Sequence, residues 1–196
     1  AHNSPDLLFF ETNSLSRDKI QFKMDIEFKT SKKPVNYKKA LHFLKKRVEK
    51  VKKGERELVW FLEHPTTYTA GIRYKKEEIL DKSIKIIKTN RGGKITLHNP
   101  GQKIIYFVIN LNKRKKDIRN LVRQIENIIV SFLSIYKIKS YPDKKNIGIW
   151  VKSNNKIKKI AAIGIRIKRW IAYHGFSINI DNDLNNYNKN ISYNDL

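Results

Sequence analysis

The chain of 196 residues contains no cysteine, and that absence excludes disulfides, thiolate metal sites and a cysteine nucleophile among these residues. Long apolar runs are missing too. No stretch reaches the roughly 18 apolar residues that a membrane-spanning helix needs. The segment Asp6-Leu7-Leu8-Phe9-Phe10 is too short and wrongly flanked for a signal peptide. The chain therefore reads as a cytoplasmic protein that uses no membrane. Methionine occurs once, at Met24, and acidic residues are outnumbered 18 to 42 by lysine and arginine.

The resulting charge of +24 raises the question of a polyanionic partner such as nucleic acid. The lysines are dispersed and accompany an excess of asparagine and isoleucine, three residues with A/T-rich codons, so base composition accounts for much of the excess. An acidic protein partner steered by long-range attraction fits equally well. A basic nucleic-acid-binding module is kept as the weaker alternative.

Residues 1–23 show no clear period, whereas Asp25-Ile26-Glu27-Phe28 alternates like a strand directly after Met24. The expectation is a non-domain extension over 1–23 and a single domain over 24–196. After Pro34, Tyr37, Leu41, Leu44, Val48 and Val51 recur at helical spacing, and Gly54 ends the pattern. Leu58 to Leu62 reads as a buried strand that delivers Glu63 to Gly71 as a loop, and Ser83 to Ile87 as a weak strand. Ile118, Leu121, Val122, Ile125, Ile128, Ile129, Phe132 and Leu133 make one apolar stripe, which predicts a helix between Asp117 and Tyr136. Three strands follow, over 146–151, 158–167 and 171–180. Two helices and several strands imply an α/β or α+β domain with a mixed sheet.

Three of the eight glycines fall between Arg91 and Gln102, together with Lys94, His98 and Pro100. Gly92 and Gly93 can take positive φ and bring backbone close to a bound molecule, and Asn99-Pro100-Gly101 reads as a tight turn. The whole segment reads as a loop anchored on the strand-like run after it; an ordinary glycine-rich hairpin is the plainer alternative. Gly92-Gly93-Lys94 lacks the spacing of a P-loop. His64, His98 and His174 lack metal-ligand spacing, so no metal is expected. Trp60, Trp150 and Trp170 read as core or rim residues.

The ordered motifs Arg91 to Gln102, Gly148 to Val151, Lys159 to Arg166, and Tyr173-His174-Gly175 with Asn179 resemble the lipoyl(octanoyl) transferase family. Glu63-His64-Pro65 and Tyr68 to Gly71 fit its early loop. The resemblance implies a mixed sheet flanked by helices, like the catalytic domain of biotin and lipoate protein ligases, with a tunnel for an acyl chain. It implies transfer of octanoyl from acyl carrier protein to a lysine of lipoyl domains, those of 2-oxoacid dehydrogenase complexes and the glycine cleavage H protein, with no cofactor. In that family a cysteine takes the acyl group as a thioester and a lysine stabilises its thiolate.

Residue by residue, the resemblance assigns the catalytic lysine to Lys159 and substrate contacts to Arg91, Gly92, Gly93, Lys94, Ile95, Thr96, Leu97 and His98. Ala162, Ile163 and Gly164, with Gly175, Phe176 and Ser177, match the other pocket segments, where free N–H groups can polarise a thioester carbonyl. Taken alone, a strand glycine such as Gly164 marks a bulge or close packing as readily. Two positions depart from the family. Asn99 stands where glycine is usual, a change that asparagine's tolerance of positive φ permits. The family's cysteine should lie near Tyr193 or Asn194, where this chain has none; a shortened or frameshifted end is the expectation, and a non-catalytic acyl- or partner-binding relative the alternative.

Overall fold

A computed structural model describes residues 25–185, and the expectations placed on residues 1–23 and near Tyr193 lie outside them. Among the described residues ten strands and two α-helices form a seven-stranded mixed sheet and a small three-stranded one. In chain order the elements are β1 (Ile26–Thr30), α1 (Tyr37–Lys52), β2 (Glu57–Leu62), β3 (Thr67–Ala70), β4 (Ile86–Lys88), β5 (Ile95–His98) and β6 (Gln102–Asn110). Then come α2 (Ile118–Ile135), β7 (Ser140–Pro142), β8 (Ile149–Ser153), β9 (Lys156–Lys168) and β10 (Ile171–Asn179).

The large sheet runs β1-β2-β6-β10-β9-β8-β7, with only β1 and β2 parallel. Alternation along its strands feeds two cores, one on each face. On one face Leu44, Val48 and Val51 of α1 pack on Leu58, Trp60, Tyr106, Val108, Ile171 and Tyr173. On the other Leu121, Ile125, Ile129 and Leu133 of α2 pack on Phe107, Ile149, Ala161, Ala172 and Ile178. Both helices start at an asparagine or aspartate whose side chain caps a backbone N–H, Asn36 for Lys39 and Asp117 for Asn120. No helix among the described residues is long and apolar enough to cross a membrane.

A buried carboxylate ties the connection after β6 to β2. Glu57 receives two hydrogen bonds of 2.6 Å from the Arg114 guanidinium and a third of 2.7 Å from the Asn110 amide. The parallel fork satisfies both carboxylate oxygens, the condition under which a buried ion pair is tolerated.

Four expectations from the sequence change. Glu63 to Gly71 is not all loop, because Thr67–Ala70 is β3, and the glycine-rich stretch contains β5. The two strands pair antiparallel, Tyr68 opposite Leu97, and bury Tyr68, Ala70, Ile95 and Leu97 in a core of their own. Neither run carries enough alternating residues for the pattern to be read locally; the pairing supplies what the period does not. The weak strand after Ser83 begins later, at Ile86. Asn99 does not take positive φ; in that turn Gly101 does, at 87°.

Ile129 is fully buried while its neighbour Ile128 is 62% exposed. Ile129→Ala should lower unfolding free energy by about 2–5 kcal/mol and Ile128→Ala by less than about 1 kcal/mol, measured by urea denaturation.

Candidate functional site

A cavity of about 250 Å³ opens on the α1 side of β9, β10 and β6, between the large sheet and the small one. Of the residues expected from the sequence, Arg91, Gly92, Gly93, Lys94, Ile95, Thr96 and His98 line it. Lys159, Ala162, Ile163, Gly164, Gly175, Phe176 and Ser177 line it as well. Leu97 does not. On β5 the side chains alternate, so Thr96 and His98 face the cavity while Leu97 goes into the small core.

The glycine-rich loop is held over the cavity by backbone pairing with the chain after β3. Gly71 and Arg73 donate to the carbonyls of Lys94 and Gly93 at 2.9 and 3.1 Å. The Arg91 side chain folds back beneath this loop and donates to the Thr69 carbonyl and hydroxyl at 2.9 and 2.8 Å, and to the Gly92 carbonyl at 2.9 Å. Arg91 is thus a buried brace of the loop as well as part of the cavity wall.

Lys159 reaches the cavity through an irregularity. Ile149 pairs with Ala161 but Trp150 pairs with Lys159, so Ile160 is an extra residue on β9. Ala161, Ile163, Ile165 and Ile167 all face α2, and an unbroken strand would send Lys159 the same way. The bulge turns it to the opposite face. There its ammonium lies 4.6 Å from the centroid of the buried Trp150 indole, a cation–π contact.

A second irregularity aims His174. Neighbouring strand residues point to opposite faces, yet the rings of Tyr173 and His174 stack at 4.8 Å. The cause is the left-handed backbone of His174, φ 71°, a conformation that is costly for any residue but glycine. A Cβ on Gly175 would collide with the Ile105 carbonyl of β6, so only glycine lets β10 lie this close.

The floor is polar but uncharged. His64 donates from Nδ1 to the Val35 carbonyl at 2.6 Å and accepts at Nε2 from the Tyr106 hydroxyl at 2.9 Å. His98 donates from Nδ1 to Gln102 Oε1 at 2.7 Å, and Gln102 Nε2 donates to Asn179 Oδ1 at 2.8 Å. Asn179 in turn donates to the Lys159 carbonyl at 3.4 Å, so a chain of hydrogen bonds joins His98 to the strand bearing Lys159. His174 Nε2 lies 2.9 Å from Asn90 Oδ1. Burial lowers all three histidines, His64 to about 4, and His98 and His174 to about 3; nearby positive charge from Arg91 adds to the last two. Burial and the neighbouring Tyr37 phenol push Tyr106 up. Among the described residues no cluster of histidine and carboxylate groups could hold a metal.

Sequence reasoning missed Tyr37, Tyr106, Arg73, Ile104 and the 145–147 stretch as cavity walls. Tyr37 carried a signal only for a helix face, and Tyr106 only for a strand. His174 stood within a quoted motif, but nothing in its spacing showed where its ring points.

The fold is that of the lipoate protein ligases. A bipartite lipoate protein ligase from Thermoplasma acidophilum superposes with a TM-score of 0.70 over 88% of this chain and 68% of that one, at 17% identity. A lipoate-protein ligase A bound with ATP gives 0.69 over 86% and 72%, at 18% identity. Residues 36–195 match the family model of the lipoyl protein ligase A/B catalytic domain, and the chain belongs to that family. Its relatives include octanoyltransferases from Anaplasma phagocytophilum, 45% identical over 167 residues covering 84% of this chain and 80% of that protein, and from Ehrlichia chaffeensis, 47% identical over 165 residues covering 83% and 77%. The octanoyltransferase of Rickettsia bellii is 45% identical over 168 residues, which cover 83% of this chain and 80% of that protein.

Because the histidines are depressed, the unfolded chain binds more protons than the folded one below the ordinary histidine pKa. Stability should therefore be full above about pH 6.5 and fall as pH drops toward 4. The urea midpoint measured from pH 7 to pH 4.5 should decline, and His98→Asn should flatten that decline; equal slopes would count against the buried neutral histidine.

Proposed function

We propose that this chain is an octanoyltransferase of lipoate biosynthesis whose cavity holds the acyl chain. The observation that carries this reading is the convergence of the glycine-rich loop, Lys159 and the Gly175 to Ser177 segment on one cavity, in a chain 45% identical to octanoyltransferases. The loop 91–98 covers the acyl chain, excepting Leu97, and the segments around Gly164 and Gly175 form the opposite wall beside the thioester carbonyl. Lys159, aimed by its bulge, is the cation beside the reacting carbon.

In this reaction a thiolate attacks the thioester of octanoyl-acyl carrier protein, the phosphopantetheine thiol leaves, and an enzyme thioester forms. A lipoyl-domain lysine amine then attacks that thioester, forming the amide and returning the thiol. Lys159 stabilises the thiolate and relays the protons. No thiol occurs among these 196 residues, and the second reading is an acyl-binding relative that does not turn over. Acyl carrier protein, being acidic, is steered by the net charge of +24; lipoyl domains are the acceptors, and the reaction takes place in the cytoplasm.

Two measurements test this. Octanoyl-pantetheine with the thioester replaced by an amide should bind the chain, and Gly93→Val should weaken binding at least about tenfold, since Gly93 has φ 85° and valine is strained there. Equal binding by both proteins, or none by either, would sink the acyl pocket. Separately, transfer of octanoyl from acyl carrier protein to a lipoyl domain should show no multiple turnover with the 196-residue chain. It should appear in a version carrying a cysteine near Asn194, and Lys159→Ala should abolish it there; multiple turnovers without a thiol would refute the cysteine step.

A further inference from the structure

We propose that Trp150 is a positioning residue for Lys159, its indole face holding the lysine head in the cavity as the charged ammonium. The inference rests on the reading of Lys159 as the cation beside the reacting carbon. That role needs the protonated form, because a neutral amine does not stabilise a thiolate.

The surroundings otherwise work against the charge. Lys159 is half-buried, and among the described residues the other charged side chains lining the cavity, Arg73, Arg91, Lys94 and Lys145, are all positive. Burial and like charge both favour the neutral amine. Asp143 is an acid felt from this wall. Hydrogen bonds from the Asn146 and Lys145 amides, at 3.1 and 2.7 Å, hold its carboxyl below the ordinary value, and the charges of Lys145 and Lys159 add to this.

Trp150 meets the lysine directly. The two residues stand opposite each other in the β8–β9 ladder, and the ammonium lies 4.6 Å from the indole centroid. The ring is fixed: Trp150 is 3% exposed, and its Nε1 donates to the Asn146 carbonyl at 3.0 Å. Two residues earlier, a Cβ on Gly148 would stand 3.2 Å from both Cδ and Cε of Lys159. Gly148 therefore leaves room for the stem, and Trp150 supports the head. The negative face of an indole attracts an ammonium and offers a neutral amine little, so the contact favours the charged form as well as the position.

Trace acetylation of the 196-residue chain with acetic anhydride, read at Lys159 by peptide mass spectrometry from pH 7 to pH 11, reports the neutral amine and needs no acyl ligand. Replacing tryptophan by mono-, di- and trifluorotryptophan keeps the shape of the ring and drains its face of negative charge. The midpoint at Lys159 should fall stepwise, by about one pH unit with trifluorotryptophan, which makes Lys159 about tenfold more reactive at pH 8. The exposed Lys38 should not move. Trp150→Leu should reproduce the fall, and Trp150→Phe, which keeps an aromatic face, should show less than half of it. An unchanged Lys159 midpoint in folded fluorotryptophan protein would overturn the proposal, and so would equal falls in folded Trp150→Phe and Trp150→Leu. Binding of the octanoyl-pantetheine amide is read separately: its failure sinks the acyl reading, while the Lys159 midpoint still decides what Trp150 does.

Discussion

Side-chain alternation along a β-strand is the constraint on which this site depends, and the cavity is furnished where two adjacent strands break it. An unbroken β9 would place Lys159 against α2 with Ala161 and Ile163, and the bulge at Ile160 reverses it. An unbroken β10 would send His174 to the same α2 face, and its left-handed backbone brings the ring back onto Tyr173. A bulge costs ladder pairing, and a non-glycine residue at φ 71° costs roughly 1–3 kcal/mol. Both are carried by the surrounding ladder, in which β10 is paired on both sides from Ile171 to Ile178.

The second feature is the neutrality of the cavity floor in a strongly cationic chain. Arginine and lysine reach the wall, but Arg91 spends its guanidinium on Thr69 and Gly92, and Lys159 lies over an indole. The buried histidines stay uncharged because the positive surroundings add to the cost of desolvating a proton there. The hydrogen bonds from His98 through Gln102 and Asn179 to the Lys159 carbonyl tie the loop over the cavity to the strand beneath it. The floor and the lysine are consequently positioned by one polar network rather than by separate contacts.

Asn99 has a structural role of its own in the turn after β5. It donates to the Asp183 carbonyl at 2.6 Å and accepts from Asn182 at 3.1 Å, while Asp181 donates to the Gly101 carbonyl. The turn after His98 therefore holds the chain that leaves β10. Glycine at this position could make neither side-chain bond, and the tolerance of asparagine for positive φ plays no part because its backbone is ordinary.

Much of this was legible in the sequence for local reasons. The α2 stripe from Ile118 to Leu133, the α1 stripe from Tyr37 to Val51 and the apolar runs of β2, β6, β9 and β10 are periodic, and period reports burial directly. The glycine-rich loop announced itself by composition, and the motif order named Lys159 and the segments around it. Strands β3 and β5 could not be read, because four residues each carry too little period and their pairing partner lies about 30 positions away in sequence. Nor could Tyr37 and Tyr106 be read as cavity walls, since a buried tyrosine in a helix or strand looks like core until the neighbouring element is placed. Sequence alone determined which segments are apolar, which carry the glycine and lysine motifs, and in what order. Only the tertiary structure decided which face Lys159 and His174 present, because that depends on one extra residue in one ladder and one reversed dihedral in the next, and neither leaves a mark on hydrophobic pattern.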